Sequence, residues 1–422
     1  MAKSDLSRLI EKLYKGLYIL VVAGFSCLML GVTTWMVCTN DFYAKTHAYP
    51  LVFQDFIRFY SIGQILLSSE RDHVYDPTVQ LRFFNALIAP AHTSDVMFVQ
   101  HPPYLFAFFA PFALLPTNYS YFLWFAISIF IGTIGVLLLL ASREHKLSSL
   151  QIAMFLLGTS ATLPAWRAHF IGQLSWHLLG ILSLYVWAIQ SKRGIVAGIF
   201  LALSTIKVQY LPLMALIAVP AQPRKVFLSF ICTMLGLLLG AGIILGWSNI
   251  FNYPHILLGT ESSQDVGLFP EQMVCLRGIL SNFLPRALSL NCSLVIYMAA
   301  TCMLAYCWLR DKRNLVPGSR QYCWLVSITV IVALLLAPHV HHYDCLLLAI
   351  PGALTIVTVD PFQATKILDK RLRLWSLIFI FYPLLGWPMM CIPNHLGLWF
   401  FTITNVLLFY LAVKIFTKPN SS

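Results

Sequence analysis

Charge is what this sequence has least of: Asp, Glu, Lys and Arg make up 10% of its 422 residues against 59% hydrophobic, and the mean hydropathy is +0.77. That balance excludes an ordinary water-soluble chain and places the protein in the membrane class. Long polar blocks are missing as well, so no fused soluble domain is expected and residues 1–422 read as one transmembrane domain. The sequence contains no Walker loop, GxGxxG, GxSxG, HExxH or DxD. Nothing therefore points to a phosphate-cradling loop, a dinucleotide fold, a serine elbow, a zinc protease or a metal-bound nucleotide sugar. An enzyme of this kind would draw an activated group from a lipid carrier. Ten cysteines lack any CxxC or metal-ligand spacing. Only Cys275 and Cys292 share a large loop, as a disulfide in an oxidising compartment or as two apolar thiols. An internal repeat of the kind that builds many transporters is also missing.

What is present is a succession of apolar stretches. A crossing needs about 20 such residues, at a rise of about 1.5 Å per residue through a core of about 30 Å. The pattern predicts ten crossings, at 17–38, 119–141, 149–165, 173–190, 226–247, 292–309, 321–338, 343–359, 374–390 and 396–416. The first is too long for a signal-peptide core and reads as a retained helix. Two further stretches, 103–115 with its prolines and 195–220 interrupted near Lys207 to Pro212, read as broken or re-entrant helices. Their freed backbone groups need a protein-lined or wet setting. This drawing puts 20 of the 28 Lys and Arg on the cytoplasmic side, including Lys3, Arg8, Arg143, Arg224, Arg310 and Arg371, with both termini inside. The net charge of +12 then reflects topology and anionic lipid rather than nucleic acid.

Two outer loops are substantial, 39–102 and 248–291. Within the first, Asp55 to Leu67 and the stretch opened by Pro77 read as amphipathic helices lying on the membrane surface. Eleven of the twelve histidines and most acidic residues fall on this outer side. Asp55 and Arg58, three positions apart, share a helix face. They are either a general base with its cationic neighbour or an ion pair at the end of an interfacial helix. Asp41, just after the first crossing, is a second acidic candidate or a polar helix-end residue. Lys207, inside apolar sequence, binds phosphate or snorkels to the interface. His341 and His342, in His339-Val340-His341-His342-Tyr343-Asp344, suit substrate hydrogen bonding or an interfacial polar belt better than a metal. Arg277 contacts phosphate or anchors its loop to lipid headgroups.

Several strings occur in order from about Asp41 to Pro351: Asp55 followed by Tyr60, Tyr75-Asp76-Pro77, His101-Pro102-Pro103, Gly172-Gln173, Lys207 with Pro212, Leu276-Arg277-Gly278, and Pro338 with His341-His342-Tyr343. With these the chain resembles the integral-membrane glycosyltransferases of the GT-C type, specifically glycosyltransferase family 87, the polyprenyl-phosphate-mannose-dependent mannosyltransferases. The resemblance implies an all-α polytopic GT-C fold in the inner membrane with its active site on the outer face. It implies Asp55 as general base, and Lys207, Arg277 and Arg58 as partners of the donor phosphate. His341, His342, Tyr60 and Asp41 would position the substrates. No metal or other cofactor is implied: the polyprenyl-phosphate-linked sugar is a substrate, and the other partners are a glycolipid or glycan acceptor and membrane lipids. The competing class is a transporter or lipid-linked-sugar flippase, for which the broken helices and Lys207 speak.

Overall fold

The computed structural model describes residues 3–38, 54–90, 92–94, 98–141, 147–262, 269–358, 371, 374–375, 377–379, 382 and 398–416. Among these residues the protein is all-helical, with one isolated antiparallel bridge between Met273 and His341. Four helices are long and apolar enough to cross a bilayer: Thr117–Ala141, Gly194–Leu216, Pro223–Leu245 and Arg286–Asp311. Shorter apolar helices include Pro103–Leu114, Ser149–Ser160, Arg320–Leu336, His342–Ile356 and Trp399–Ile415. The protein is a membrane protein on this composition and helix length.

Close packing follows from small residues rather than from a hydrophobic drive, because lipid tails are as apolar as the helices themselves. Gly135 of the Thr117–Ala141 helix lies so near Gly180 of the Ser175–Gln190 helix that a Cβ would strike the Gly180 backbone, and Gly132 fits against the Trp176 ring. Gly198 likewise admits the Pro223–Leu245 helix at Val226 and Ser229. The opposite face of that helix exposes Phe227, Leu228, Leu235, Leu239 and Ile243, as a lipid-facing surface should.

The break expected near Lys207 is present. Residues Gly194–Leu203 are α-helical, Ser204–Tyr210 wind as a 3₁₀ segment, and helix resumes at Leu211–Leu216. Lys207 itself is non-helical, at φ −124° and ψ 82°. The carbonyls loosened by the break find donors. The Ser204 hydroxyl donates to Leu201 O at 2.7 Å and the Thr205 hydroxyl to Ala202 O at 2.5 Å, while Tyr104 Oη donates to Thr205 O at 2.9 Å. Pro212, in the first turn of the resumed helix, has no N–H to leave unsatisfied.

Several readings of the sequence need correction or limit. The helix that begins at Asp55 does not lie on a surface: in Gln54–Leu66, Phe56, Ile57, Arg58, Phe59, Tyr60, Ile62 and Ile65 are all buried. Apolar residues stand on both of its sides, so it is inserted between Pro103–Leu114, Thr117–Ala141 and the helix Pro77–Ile88. Pro77–Ile88 does present one exposed side, and Asp76 caps it through Thr78 N at 2.8 Å. The crossing drawn over 149–165 divides: Ser149–Ser160 ends, and Thr162 caps a separate helix, Leu163–Ile171, with Pro164 in its first turn. The loop 248–291 begins as a 16-residue helix, Trp247–Ser262. The crossing at 374–390 and the candidate Asp41 fall largely or wholly outside the described residues. Cys275 and Cys292 are both free thiols, and Cys275 is buried.

Candidate active site

A cavity of ≈ 400 Å³ opens where the Gln54–Leu66 helix, the irregular stretch 98–102, the end of Leu163–Ile171, the Lys207 break, the Trp247–Ser262 helix and the 338–343 segment converge. Its size lies in the usual range for small-molecule sites, roughly 300 to 1,000 Å³. From the first of these elements come Asp55, Arg58 and Phe59, the i, i+3, i+4 stripe of one helix face. Tyr60, one position further round, points away and donates to Leu115 O at 2.8 Å. The structure therefore does not bring Tyr60 to the cavity.

Asp55 is the only carboxylate on the cavity wall among the described residues. Gln173 Nε2 donates to its Oδ2 at 2.6 Å and reaches the Tyr343 hydroxyl at 3.3 Å. Arg58 Nη1 stands 3.7 Å from Oδ1, and the Arg58 guanidinium lies 5.4 Å from the Phe84 ring centre. The acid is thus held between a neutral donor and a cation with its side chain partly open to the cavity. Gly172 makes this arrangement possible. It ends the Leu163–Ile171 helix at φ +78°, and a Cβ there would collide with Phe56, next to Asp55. Gly172→Ala is expected to lose about 1–2 kcal/mol from the left-handed backbone alone, with displacement of Phe56 added. Thermal unfolding in detergent and transfer activity should both fall; an unchanged melting temperature would contradict the tight approach.

Lys207 projects from the helix break onto the same wall, and behind it lies Asp344, fully buried, with which it forms an ion pair. The Asp344 carboxylate also accepts from Ser175 Oγ at 3.0 Å and from the His341 N–H at 3.2 Å. The Lys207 ammonium sits 5.0 Å from the Tyr343 ring centre. Three contacts made from one carboxylate thus tie together the broken helix, the Ser175–Gln190 helix and the histidine segment.

His101, His339, His341 and His342 complete the polar wall. Gln209 Nε2 donates to His339 O at 2.8 Å, and His341 stacks on Tyr343 with ring centres 5.3 Å apart. Among the described residues no three His, Cys, Asp or Glu side chains are grouped to hold a metal. Arg277 is elsewhere: fully buried, it donates from Nη1 to Pro338 O at 3.2 Å and does not line the cavity. Together with the Val274 N–H on Val340 O at 2.8 Å, it fastens the 273–277 segment to the back of the histidine segment. The short Leu276–Leu280 helix, which carries Arg277, buries that side chain, which is why a cation expected to bind phosphate is found off the cavity wall.

Burial holds two imidazoles far below their ordinary value of 6.5. His101 is lowered to about 3 by desolvation, then by the Lys207 cation and His339; His169 is lowered to about 3 by desolvation, then by His177. The unfolded chain then binds more protons than the folded one between about 6.5 and about 3. Stability from this source is complete above the upper limit and is lost as pH falls through that window. Melting temperatures measured from pH 7 down to pH 4 should decline. The decline should be shallower in a His101→Gln, His169→Gln variant; equal slopes would contradict this assignment.

Sequence reading missed Asp344 and Arg167 as parts of this site. The signal for Asp344 was Lys207 itself: an ammonium buried in apolar sequence needs an anion, and Asp344 is an acid close to the outer histidines.

The sequence profile of glycosyltransferase family 87 matches residues 98–338, more than half of the chain. The match takes in His101, Arg167, Gln173, Lys207 and Arg277, and leaves Asp55 and the 339–344 segment outside its limits. No curated protein matches the sequence.

Proposed function

The chain belongs to glycosyltransferase family 87, and from that premise we propose that it transfers a hexose, mannose in our reading, from a polyprenyl-phosphate carrier to a lipid or glycan acceptor outside the cytoplasm. The observation that carries the reading is Asp55: one carboxylate, oriented by Gln173, on the wall of a cavity whose other charged side chains among the described residues are the cations Arg58, Arg167 and Lys207. A general base must be within hydrogen-bond reach of the proton that it takes, and a carboxylate open to a cavity of this size meets that condition. Its Oδ1 or Oδ2 accepts the proton of the acceptor hydroxyl. The freed oxygen pair forms the new bond to the anomeric carbon from the face opposite the carrier. The bond from that carbon to the phosphate oxygen breaks, and the carrier phosphate leaves with the electron pair, so the configuration inverts.

The departing phosphate gains negative charge, and fixed cations stabilise such a change most effectively where water is excluded. Lys207 and Arg58 are the cavity-wall groups for it. His341 and His342 offer imidazole nitrogens to sugar hydroxyls, and Arg277 acts from behind by holding Pro338. The reading places the cavity on the side of the bilayer that carries the histidines and the shorter supply of Lys and Arg.

The test uses the full chain in proteoliposomes with polyprenyl-phosphate mannose and a mixture of glycolipid acceptors. The expected product carries a mannose of inverted anomeric configuration, with free polyprenyl phosphate formed in equal amount. Movement of the lipid-linked sugar between leaflets with no sugar transferred to any acceptor would replace the transferase by a flippase.

A further inference from the structure

The cavity wall carries three cations, Arg58, Lys207 and Arg167, and their electrostatic situations differ. Arg58 lies beside Asp55 and Lys207 is paired with Asp344. Arg167 has neither kind of partner: among the described residues no carboxylate lies within ion-pair distance of it and no hydrogen bond is made by its guanidinium. What it touches is an aromatic face, the Phe170 ring centre at 5.5 Å. Asp55 and Tyr343 act on it through space, and it in turn acts on His342.

A guanidinium in this position is costly unless something anionic joins it. Burial already pulls its proton affinity below the usual value, although Asp55 and Tyr343 draw it back, and an arginine stays charged regardless. The short Leu163–Ile171 helix holds it in place, capped by Thr162 at one end and by Gly172 at the other. Its planar fork of donors suits two oxygens of one phosphate or carboxylate, which a hydroxyl cannot match. Lys207 stands near His101 and His339 and already has Asp344; Arg167 stands near Asp55 and His342.

We propose that Arg167 is the specificity-determining contact for a phosphate group on a substrate seated beside Asp55, and that the cavity distinguishes phosphorylated from neutral lipids through it. The proposal deepens the transferase reading and rests on it for the identity of the substrate, but not for the binding. The phosphate belongs either to the carrier lipid or to an anionic glycolipid acceptor, and the chemistry of recognition is the same. The charge surplus on the wall, with one uncompensated guanidinium facing the cavity, is the feature that selects it.

The experiment compares the purified full chain with Arg167→Gln and Arg167→Lys. Binding of polyprenyl phosphate and of the neutral polyprenol is followed by tryptophan fluorescence. The wild-type chain should favour the phosphate by at least about tenfold, which corresponds to about 1.4 kcal/mol. Arg167→Gln should lose that preference with its melting temperature retained, and Arg167→Lys should recover part of it. An unchanged preference in Arg167→Gln overturns the proposal. So does a loss that Arg167→Lys does not relieve while both variants melt early, because that pattern belongs to a structural role.

Steady-state transfer separates the sources. A KM raised about tenfold for the polyprenyl-phosphate sugar alone assigns the group to the donor. A KM raised for a phosphate-bearing acceptor, but not for a neutral one, assigns it to the acceptor. No change in either KM overturns the proposal. Wild-type chain that binds polyprenyl phosphate through Arg167 yet transfers no sugar would sink the transferase reading and leave this site standing.

Discussion

Replacing Asp55 with asparagine should reduce sugar transfer by about a hundred- to ten-thousandfold, the usual worth of a positioned general base. The amide has nearly the same shape, and its oxygen still accepts the Gln173 Nε2 bond that the carboxylate accepts at 2.6 Å. What it loses is the capacity to take a proton at neutral pH and the charge beside Arg58, 3.7 Å away. Because the side chain is partly open to the cavity, the loss of stability should be smaller than that from opening the enclosed Lys207–Asp344 pair. The measurement is kcat and KM for transfer from a polyprenyl-phosphate sugar, with melting temperature as the control. The expected pattern is a collapse of kcat with a modest change in KM. An asparagine variant with full activity would remove Asp55 from the mechanism and leave the cavity without a carboxylate among its described wall residues.

The second large effect should come from Lys207 and Asp344, whose side chains are 6% and 0% exposed. Taking charges out of water costs several kcal/mol per ion, and only the partner and further hydrogen bonds repay it. Asp344→Leu leaves the ammonium uncompensated and also strips an acceptor from Ser175 Oγ and from the His341 N–H. The loss should be about 3–5 kcal/mol, the range for breaking a buried pair from one side. Lys207→Met leaves a carboxylate that still has those two donors, so its loss should be the smaller. The double replacement Lys207→Met, Asp344→Leu removes both charges and should recover much of the stability, since an apolar pair of similar volume is often no worse than a buried ion pair. It should not recover transfer, because the wall then lacks one of the cations proposed for the leaving phosphate. Thermal unfolding of the four proteins gives the coupling as a double-mutant cycle. Additive losses would mean that the two groups do not interact.

The two effects separate chemistry from architecture. Asp55 is partly exposed and lightly held, as a group that must meet a substrate has to be. Asp344 is enclosed and bonded from three elements, so its removal disturbs the site through the backbone of the histidine segment. Arg277 works in the same way through Pro338 O. Whether a charged side chain touches the substrate or braces those that do depends on which side of the wall it lies. Composition does not encode that.

Much of the plan is nevertheless legible in the sequence. Membrane class follows from hydropathy because the bilayer demands long apolar helices with every backbone bond satisfied. The break at Lys207 is written in a lysine and a proline within an apolar run. Asp55 and Arg58 share a face through helical spacing alone. The inward burial of the Gln54–Leu66 helix was not legible, since a short helix with apolar residues on both sides looks amphipathic until its neighbours are known. Nor was the division of 149–165, where Thr162 and Pro164 act together as a start signal inside an apolar run. The pairing of residues 137 positions apart, Lys207 with Asp344, and of Asp55 with Gln173 across 118, arises only when the helices pack.

By itself the sequence determined the solvent in which this protein lives, its apolar helices, and the place where one of them breaks. Those are consequences of local hydropathy, helical period and backbone chemistry, each set within a few turns of chain. Tertiary structure alone decided which charges face the cavity, which are paired beneath its wall, and that Arg167 is left among the described residues without an anion. Such outcomes depend on distances between segments far apart in the chain. Electrostatic energy in a poorly solvated interior varies too steeply with those distances for residue order to fix it.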